Sequence, residues 1–208
     1  NLSSPYSNYE SIIKIYKLET YLDSKEKADM LNAKINNSLL NDKYWVDDPI
    51  NIATKKGAQL SNLFNYRTRK EEYYSQLESF FHNSVNAYAN TMAKSRMPYF
   101  KPKTKELSSN TWAVKLNSGG YQAAHTHSPS WISGVYYSQL PKFDNPTEGN
   151  LEFGLKNRNK VFFPKYNVRP EEGLLVCFPS YLVHKTVPFK GEIERISIAF
   201  DIFPIHNI

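Results

Sequence analysis

The hydrophobic positions change their period near the middle of the chain. In "DSKEKADMLNAKINNSLLND" (23–42), Ala28, Leu31, Ile35 and Leu39 recur every three or four residues, and Asp23 and Ser24 stand ahead of them as candidate caps. The spacing is stronger over 69–95, where Tyr73, Leu77, Phe80, Phe81, Val85, Tyr88 and Met92 form one stripe with charges between them. This predicts a long amphipathic helix that must cover an apolar surface. "SRMPYFKPK" (95–103) then brings two prolines, which end the helix and begin an extended path. Beyond it the period falls to two. "TWAVKL", "WISGVYYSQL", "GLLVCF" and "ERISIAFDIF" are short, β-branched and aromatic, and "NSGG", "PKFDNPTEG", "RPEEG" and "FKGE" separate them as turns.

Some eight short strands without an intervening helix argue for a sandwich or jelly roll rather than a βαβ fold. The expected architecture is mostly β: a double-stranded β-helix (jelly roll) core over about 97–208, with a helical N-terminal region, 1–96, packed on one of its sheets as part of one structural unit. In "RISIAF", Ile196, Ile198 and Phe200 share a face that needs such a cover, and the helix at 69–95 has the stripe to supply it. Composition agrees with a folded chain of one sizeable core: 208 residues, 40% hydrophobic, with 12 Phe and 15 Tyr.

The single cysteine, Cys177, sits in an apolar strand as inert packing; it allows no intrachain disulfide and no thiolate cluster, so a metal here needs nitrogen and oxygen ligands. A reducing, cytoplasmic location is expected, since no apolar run nears the roughly 20 residues of a membrane span and no signal-peptide pattern opens the chain. Residue 1 is Asn, which fits a trimmed start. The net charge of +6 comes from scattered lysines without a basic helix, which reads as a solvated surface rather than a nucleic-acid or membrane face.

The candidate chemistry lies in "GGYQAAHTHSPSWISGVYY" (119–137). On a strand, residues two apart point the same way, roughly 7 Å apart, so His125 and His127 can converge on one ion. His184, where the chain turns back after Pro179, is the candidate third ligand. Three imidazoles, or two with a carboxylate, leave positions open for substrate and oxygen. The alternative for the pair alone is hydrogen bonding to backbone at a strand end. His82, isolated on the predicted helix, carries no role. Eleven residues after His184 comes Arg195, with Ser197 at the next same-face position. A guanidinium on an apolar strand needs a counter-anion, and its planar fork suits a carboxylate. A structural ion pair with Glu152 or Glu194 is the alternative.

His-x-His, a distant His, then Arg-x-Ser resembles the 2-oxoglutarate- and iron(II)-dependent oxygenases. The fuller text, with "LEFG", "VRPEEGLLVCFPSYLVHKTVP" and "ERISIAFDI", resembles a prolyl-hydroxylase-like subgroup from bacteria and phages over about 110–203. The resemblance implies a dioxygenase that couples conversion of 2-oxoglutarate to succinate and CO2 with hydroxylation of an unactivated C–H. Its cofactor would be Fe(II), its cosubstrates 2-oxoglutarate and O2, with ascorbate as a reductant and a small molecule or a prolyl or other peptide side chain as substrate. It implies His125, His127 and His184 as metal ligands, with His127 standing where most members have Asp or Glu. It also implies Arg195 on the distal carboxylate of 2-oxoglutarate, assisted by Ser197 and a tyrosine hydroxyl, Tyr137. Asp144 or Glu148 is an alternative third ligand. Trp131, Tyr136 and Tyr121 are ambiguous between pocket and core.

Two rival readings share the fold. Gly119 with His125 and His127, and Gly173 with Pro179 and His184, match cupin spacing, which implies a metal-dependent dioxygenase or isomerase without 2-oxoglutarate. The glutamate and asparagine of that pattern are missing, with Trp131, Ile132 and Pro188 in their places. A non-catalytic jelly-roll binding module is the other. Arg195 has an assigned duty only in the oxygenase reading.

Overall fold

The computed structural model describes residues 8–49, 53–64, 69–94, 107–154 and 165–204. In chain order they form α1 (Tyr9–Ile12), β1 (Lys14–Lys17), α2 (Leu18–Tyr21), α3 (Lys25–Leu40), β2 (Val46–Asp47), β3 (Thr54–Ser61) and α4 (Glu72–Lys94). There follow β4 (Leu107–Gln122), β5 (Ile132–Gln139), β6 (Leu151–Phe153), β7 (Tyr166–Val168), β8 (Leu174–Pro179), β9 (His184–Thr186) and β10 (Arg195–Pro204). Seven strands make one antiparallel sheet in the order β1-β8-β5-β10-β4-β3-β2, and three make a second, β7-β6-β9. This is a jelly roll, the two sheets enclosing apolar residues such as Tyr137, Phe153, Val176 and Phe178.

β10 is the central strand, and its alternation divides the molecule. Ile196, Ile198 and Phe200 point to the outer face and join a core with Ala113, Tyr136, Leu175 and Cys177. α4 lies over that core with Leu77, Phe80, Phe81, Val85, Tyr88 and Met92, and α3 adds Ala28, Leu31, Ile35 and Leu39. The stripes predicted for both helices are therefore their buried faces. α3 starts at Ser24, whose side chain accepts from Lys27 N at 3.2 Å as an N-cap; Asp23 lies one residue outside. Phe200 faces Gly134 across the β10–β5 pair, and a Cβ there would come 2.2 Å from its ring, so glycine lets the ring lie on the sheet. The Pro-containing stretch 95–103 lies outside the described residues.

The first 96 residues do more than the expected helical cover. β1 pairs with β8, and β3 pairs with β4, so N-terminal strands flank the core strands on both sides. The reason they escape sequence patterning is physical: "KIYK" is too short to show a period, and "TKKGAQLS" carries little apolar content. β1 is set by its pairing with β8, and β3 by its pairing with β4 together with burial of Thr54, Ala58 and Leu60. Among the described residues no helix is long and apolar enough to cross a membrane.

Candidate metal centre

The inner face of the large sheet forms the floor of the site. Arg195, Ser197, Ala199 and Asp201 project to that face from β10, opposite Ile196, Ile198 and Phe200. Cross-strand pairing places Val114 and Tyr137 beside Ser197, Trp112 and Val135 beside Ala199, and Ser133 beside Asp201. His125 and His127 enter from the segment after β4, and His184 from the start of β9. Reciprocal backbone bonds tie the two segments: His125 N donates to His184 O at 3.0 Å and His184 N to His125 O at 3.1 Å. His127 N donates to Ser180 O at 2.9 Å, and Ser130 Oγ donates to His127 O.

These bonds bring three imidazoles together. Their candidate ligand atoms all lie within 4.8 Å of one another, and the ring centroids are 4.4, 4.8 and 5.1 Å apart. In each ring Nδ1 faces an oxygen that can only accept: Ala123 O for His125 (2.6 Å), Asp201 Oδ2 for His127 (2.9 Å) and Leu182 O for His184 (2.8 Å). The proton therefore belongs on Nδ1, and the Nε2 lone pair is left for a ligand bond. Burial, reinforced by the neighbouring imidazoles, lowers the pKa of His125 and holds that of His184 well below the ordinary histidine value. Both rings are neutral at neutral pH, the form that binds metal.

Arg195 is 1% exposed and has no carboxylate partner among the described residues. Burial lowers its pKa, opposed by Tyr137. Nη1 donates to Ser197 Oγ at 3.1 Å, the guanidinium carbon lies 4.9 Å from the Tyr137 ring centroid, and Nε has no hydrogen-bond partner. Tyr137 is fully buried, its hydroxyl lies beside the Arg195 guanidinium without a well-formed hydrogen bond, and burial pushes its phenol up to about 12. The expected alternatives for Arg195 are absent. Glu152 is held by Lys185 (3.1 Å) and Lys165 (3.3 Å), and Glu194 forms no ion pair with Arg195 among the described residues. A buried cation with an open donor is a receptor for an anion. One pocket joins Arg195 and Ser197 to the three histidines, with Trp112, Val135 and Phe178 among its apolar walls.

Residues 110–201 match the sequence profile of a family described as "Putative 2OG-Fe(II) oxygenase". Over that segment, which carries His125, His127, His184, Arg195 and Ser197, the chain is similar to the 2OG-Fe(II) oxygenases. No curated protein matches it by sequence. The fold is also similar to that of solved structures at low identity. One is a viral collagen prolyl hydroxylase from Paramecium bursaria chlorella virus-1 in complex with 2OG (11% identity, 92% of this chain and 95% of that one, TM-score 0.58). A prolyl hydroxylase from Trichoplax adhaerens with a hypoxia-inducible-factor peptide fragment gives 10%, 93%, 84% and 0.65. The epimerase SnoN from nogalamycin biosynthesis, in complex with Fe3+, alpha ketoglutarate and nogalamycin RO, gives 10%, 94%, 80% and 0.65.

The other expected residues fall elsewhere in the structure. Tyr136 belongs to the core under α4, its hydroxyl donating to Asn32 Oδ1, and Trp131 packs against the same core. Tyr121 pairs with Lys55 in the sheet. Glu148 accepts from Asp144 N at 3.0 Å, and neither carboxylate joins the histidine group. His82 lies beside Asn86 on α4. One polar group of the site went unpredicted: Asp201. Its signal is in the sequence, since it has the same parity on β10 as Arg195 and Ser197.

Proposed function

We propose that His125, His127 and His184 hold Fe(II) through Nε2 and that Arg195, with Ser197 and Tyr137, holds the distal carboxylate of 2-oxoglutarate, in an enzyme that hydroxylates an unactivated C–H. The observation that carries this assignment is the shared pocket: three imidazoles with free Nε2 atoms, and a buried guanidinium without a counter-anion among the described residues. The donor set fits the group, since nitrogen ligands with proton-anchored Nδ1 suit a divalent first-row metal. The open Arg195 donor fits a carboxylate.

Iron(II) and 2-oxoglutarate, when bound, supply the oxidising chemistry: one atom of dioxygen goes into succinate as CO2 is released, and the other becomes the hydroxyl on the substrate carbon. The protein's own part is to bind and to exclude. The histidines keep their protons on Nδ1 and present lone pairs to the ion. Arg195 and Ser197 fix one end of the cosubstrate, and the phenol of Tyr137, uncharged at neutral pH, is placed to donate to the same carboxylate. The apolar walls keep bulk water from the reacting atoms. A peptide side chain, prolyl among them, is the favoured substrate class, supported by the peptide in the Trichoplax adhaerens complex; the small molecule bound to SnoN marks the alternative. The cupin and binding-module readings leave Arg195 without a partner.

Succinate release from 2-oxoglutarate, followed with Fe(II), O2 and ascorbate, tests the assignment. The native protein should turn over 2-oxoglutarate even without substrate, and Arg195→Ala and His184→Ala should abolish it. Equal release by the native protein and Arg195→Ala would refute the cosubstrate assignment. Adding proline-containing peptides should raise the rate if the substrate class is right.

A further inference from the structure

The His-x-His motif leaves a two-histidine, one-carboxylate centre without its carboxylate ligand. Three imidazoles and a divalent ion carry one positive charge more than two imidazoles, a carboxylate and the same ion. The pocket also receives Arg195, so the deficit adds to a cationic site. Something nearby should offset it.

Asp201 has the position to do so. It is 7% exposed, and it has no lysine or arginine partner among the described residues. Its Oδ2 accepts from His127 Nδ1 at 2.9 Å. Its Oδ1 accepts from Ser133 Oγ at 2.6 Å, and Ser133 Oγ lies 2.9 Å from Ser180 Oγ. A buried carboxylate is costly unless its charge is answered, and among the described residues its charge-capable contact is the imidazole. His127 is held on its other sides as well: its ring stacks on Trp112 at 5.5 Å and on His184 at 5.1 Å, both at 19°. The remaining direction is Nε2.

Resting on the metal assignment above, we infer that Asp201 is a positioning residue that stands in, one imidazole removed, for the carboxylate that His127 replaces. It fixes the Nδ1–H tautomer, aims Nε2, and makes His127 a stronger donor by drawing on the Nδ1 proton. The negative charge sits outside the ligand shell instead of in it. Ser133 and Ser180 keep the carboxylate from swinging to the ion. The serine pair, the aspartate and the histidine thus form one chain from the sheet to the metal.

The test uses the full chain and Mn(II) alone, titrated calorimetrically, with Co(II) absorption as a second readout. Asp201→Asn should lower Mn(II) affinity by about 10–100-fold and alter the Co(II) spectrum, with folded content checked by circular dichroism. Asp201→Glu, if it reaches Nδ1, should recover part of the loss. The decisive arm is the background. In His127→Asp the carboxylate is a direct ligand, so adding Asp201→Asn should leave affinity unchanged or raise it by removing a like charge. A residue that merely supports the fold would lower affinity alike in both backgrounds. Equal losses in both, or no loss in either, overturn the inference while leaving the triad intact. Affinity kept in His127→Ala but lost in Asp201→Asn would make Asp201 the ligand and also overturn it. No Mn(II) binding by the native protein would instead strike the metal assignment, and the inference with it.

Discussion

On one side of β10, Ile196, Ile198 and Phe200 are buried beneath α4; on the other, Arg195, Ser197 and Asp201 are as deeply buried and polar. The outer face satisfies itself. Its aromatic rings meet within the core, Phe81 lying 5.2 Å from Phe200 and 5.5 Å from Tyr136. The inner face is incomplete. It leaves Arg195 Nε without a partner, the Tyr137 hydroxyl without a well-formed hydrogen bond, and three Nε2 atoms without a hydrogen-bond role. Apolar burial stabilises the fold without a ligand, whereas buried charge held open costs stability that a ligand returns. Alternation by one residue lets a single strand do both.

The strongest break of this contrast is on the apolar side. Phe81→Ala should cost about 3–5 kcal/mol of stability, through lost burial and a cavity beneath α4, read as a lower denaturation midpoint. Metal affinity per folded molecule should be retained. Next comes the polar side. Arg195→Met should weaken 2-oxoglutarate binding by about 10–100-fold, the worth of a charge-assisted hydrogen bond of roughly 1.5–3 kcal/mol. Without ligand it should be as stable as the native protein or more so, since an unpaired buried charge is gone. Thermal melts with and without 2-oxoglutarate and metal check both halves: the native melt should rise with ligand, and that of Arg195→Met should not. Ser197→Ala should cost about 1 kcal/mol of 2-oxoglutarate affinity, roughly fivefold, by calorimetry.

The smallest effect is the pH dependence of the apolar face. Burial raises the Cys177 thiol above its ordinary value and the Tyr136 phenol likewise. The unfolded chain therefore releases these protons first as the pH climbs. Stability is full below the ordinary thiol value and falls as pH rises above it toward the folded values. Cys177→Ala should flatten the start of that fall, by below about 1 kcal/mol at pH 9.5, measured by urea denaturation. The native thiol should resist alkylation at pH 8 until the protein unfolds.

The two faces also differ in how far the sequence reveals them. The helix stripes and the Ile196, Ile198, Phe200 alternation are local periods, and each maps onto the core where its period predicts. His125, His127, His184, Arg195 and Ser197 were legible as types and spacings, and the structure gathers them in one pocket. Asp201 was not singled out because its meaning lies in a partner 74 residues away, His127, and a lone aspartate near the end of an apolar strand resembles a solvated terminus. β1 and β3 were missed because pairing with β8 and β4, which local composition does not show, helps to set them. A strand of four residues, or one whose buried positions are mostly Thr, Gly and Ala, shows little local period.

The central claim is that one pocket binds a metal through three histidines and a dicarboxylate through Arg195. Anaerobic calorimetric titration of 2-oxoglutarate into the Fe(II)-loaded protein tests it most directly. The account predicts stoichiometric binding that weakens sharply in the metal-free protein and in His184→Ala, and about 10–100-fold in Arg195→Met. Binding of equal strength in all four, or none to the iron-loaded native protein, would contradict it.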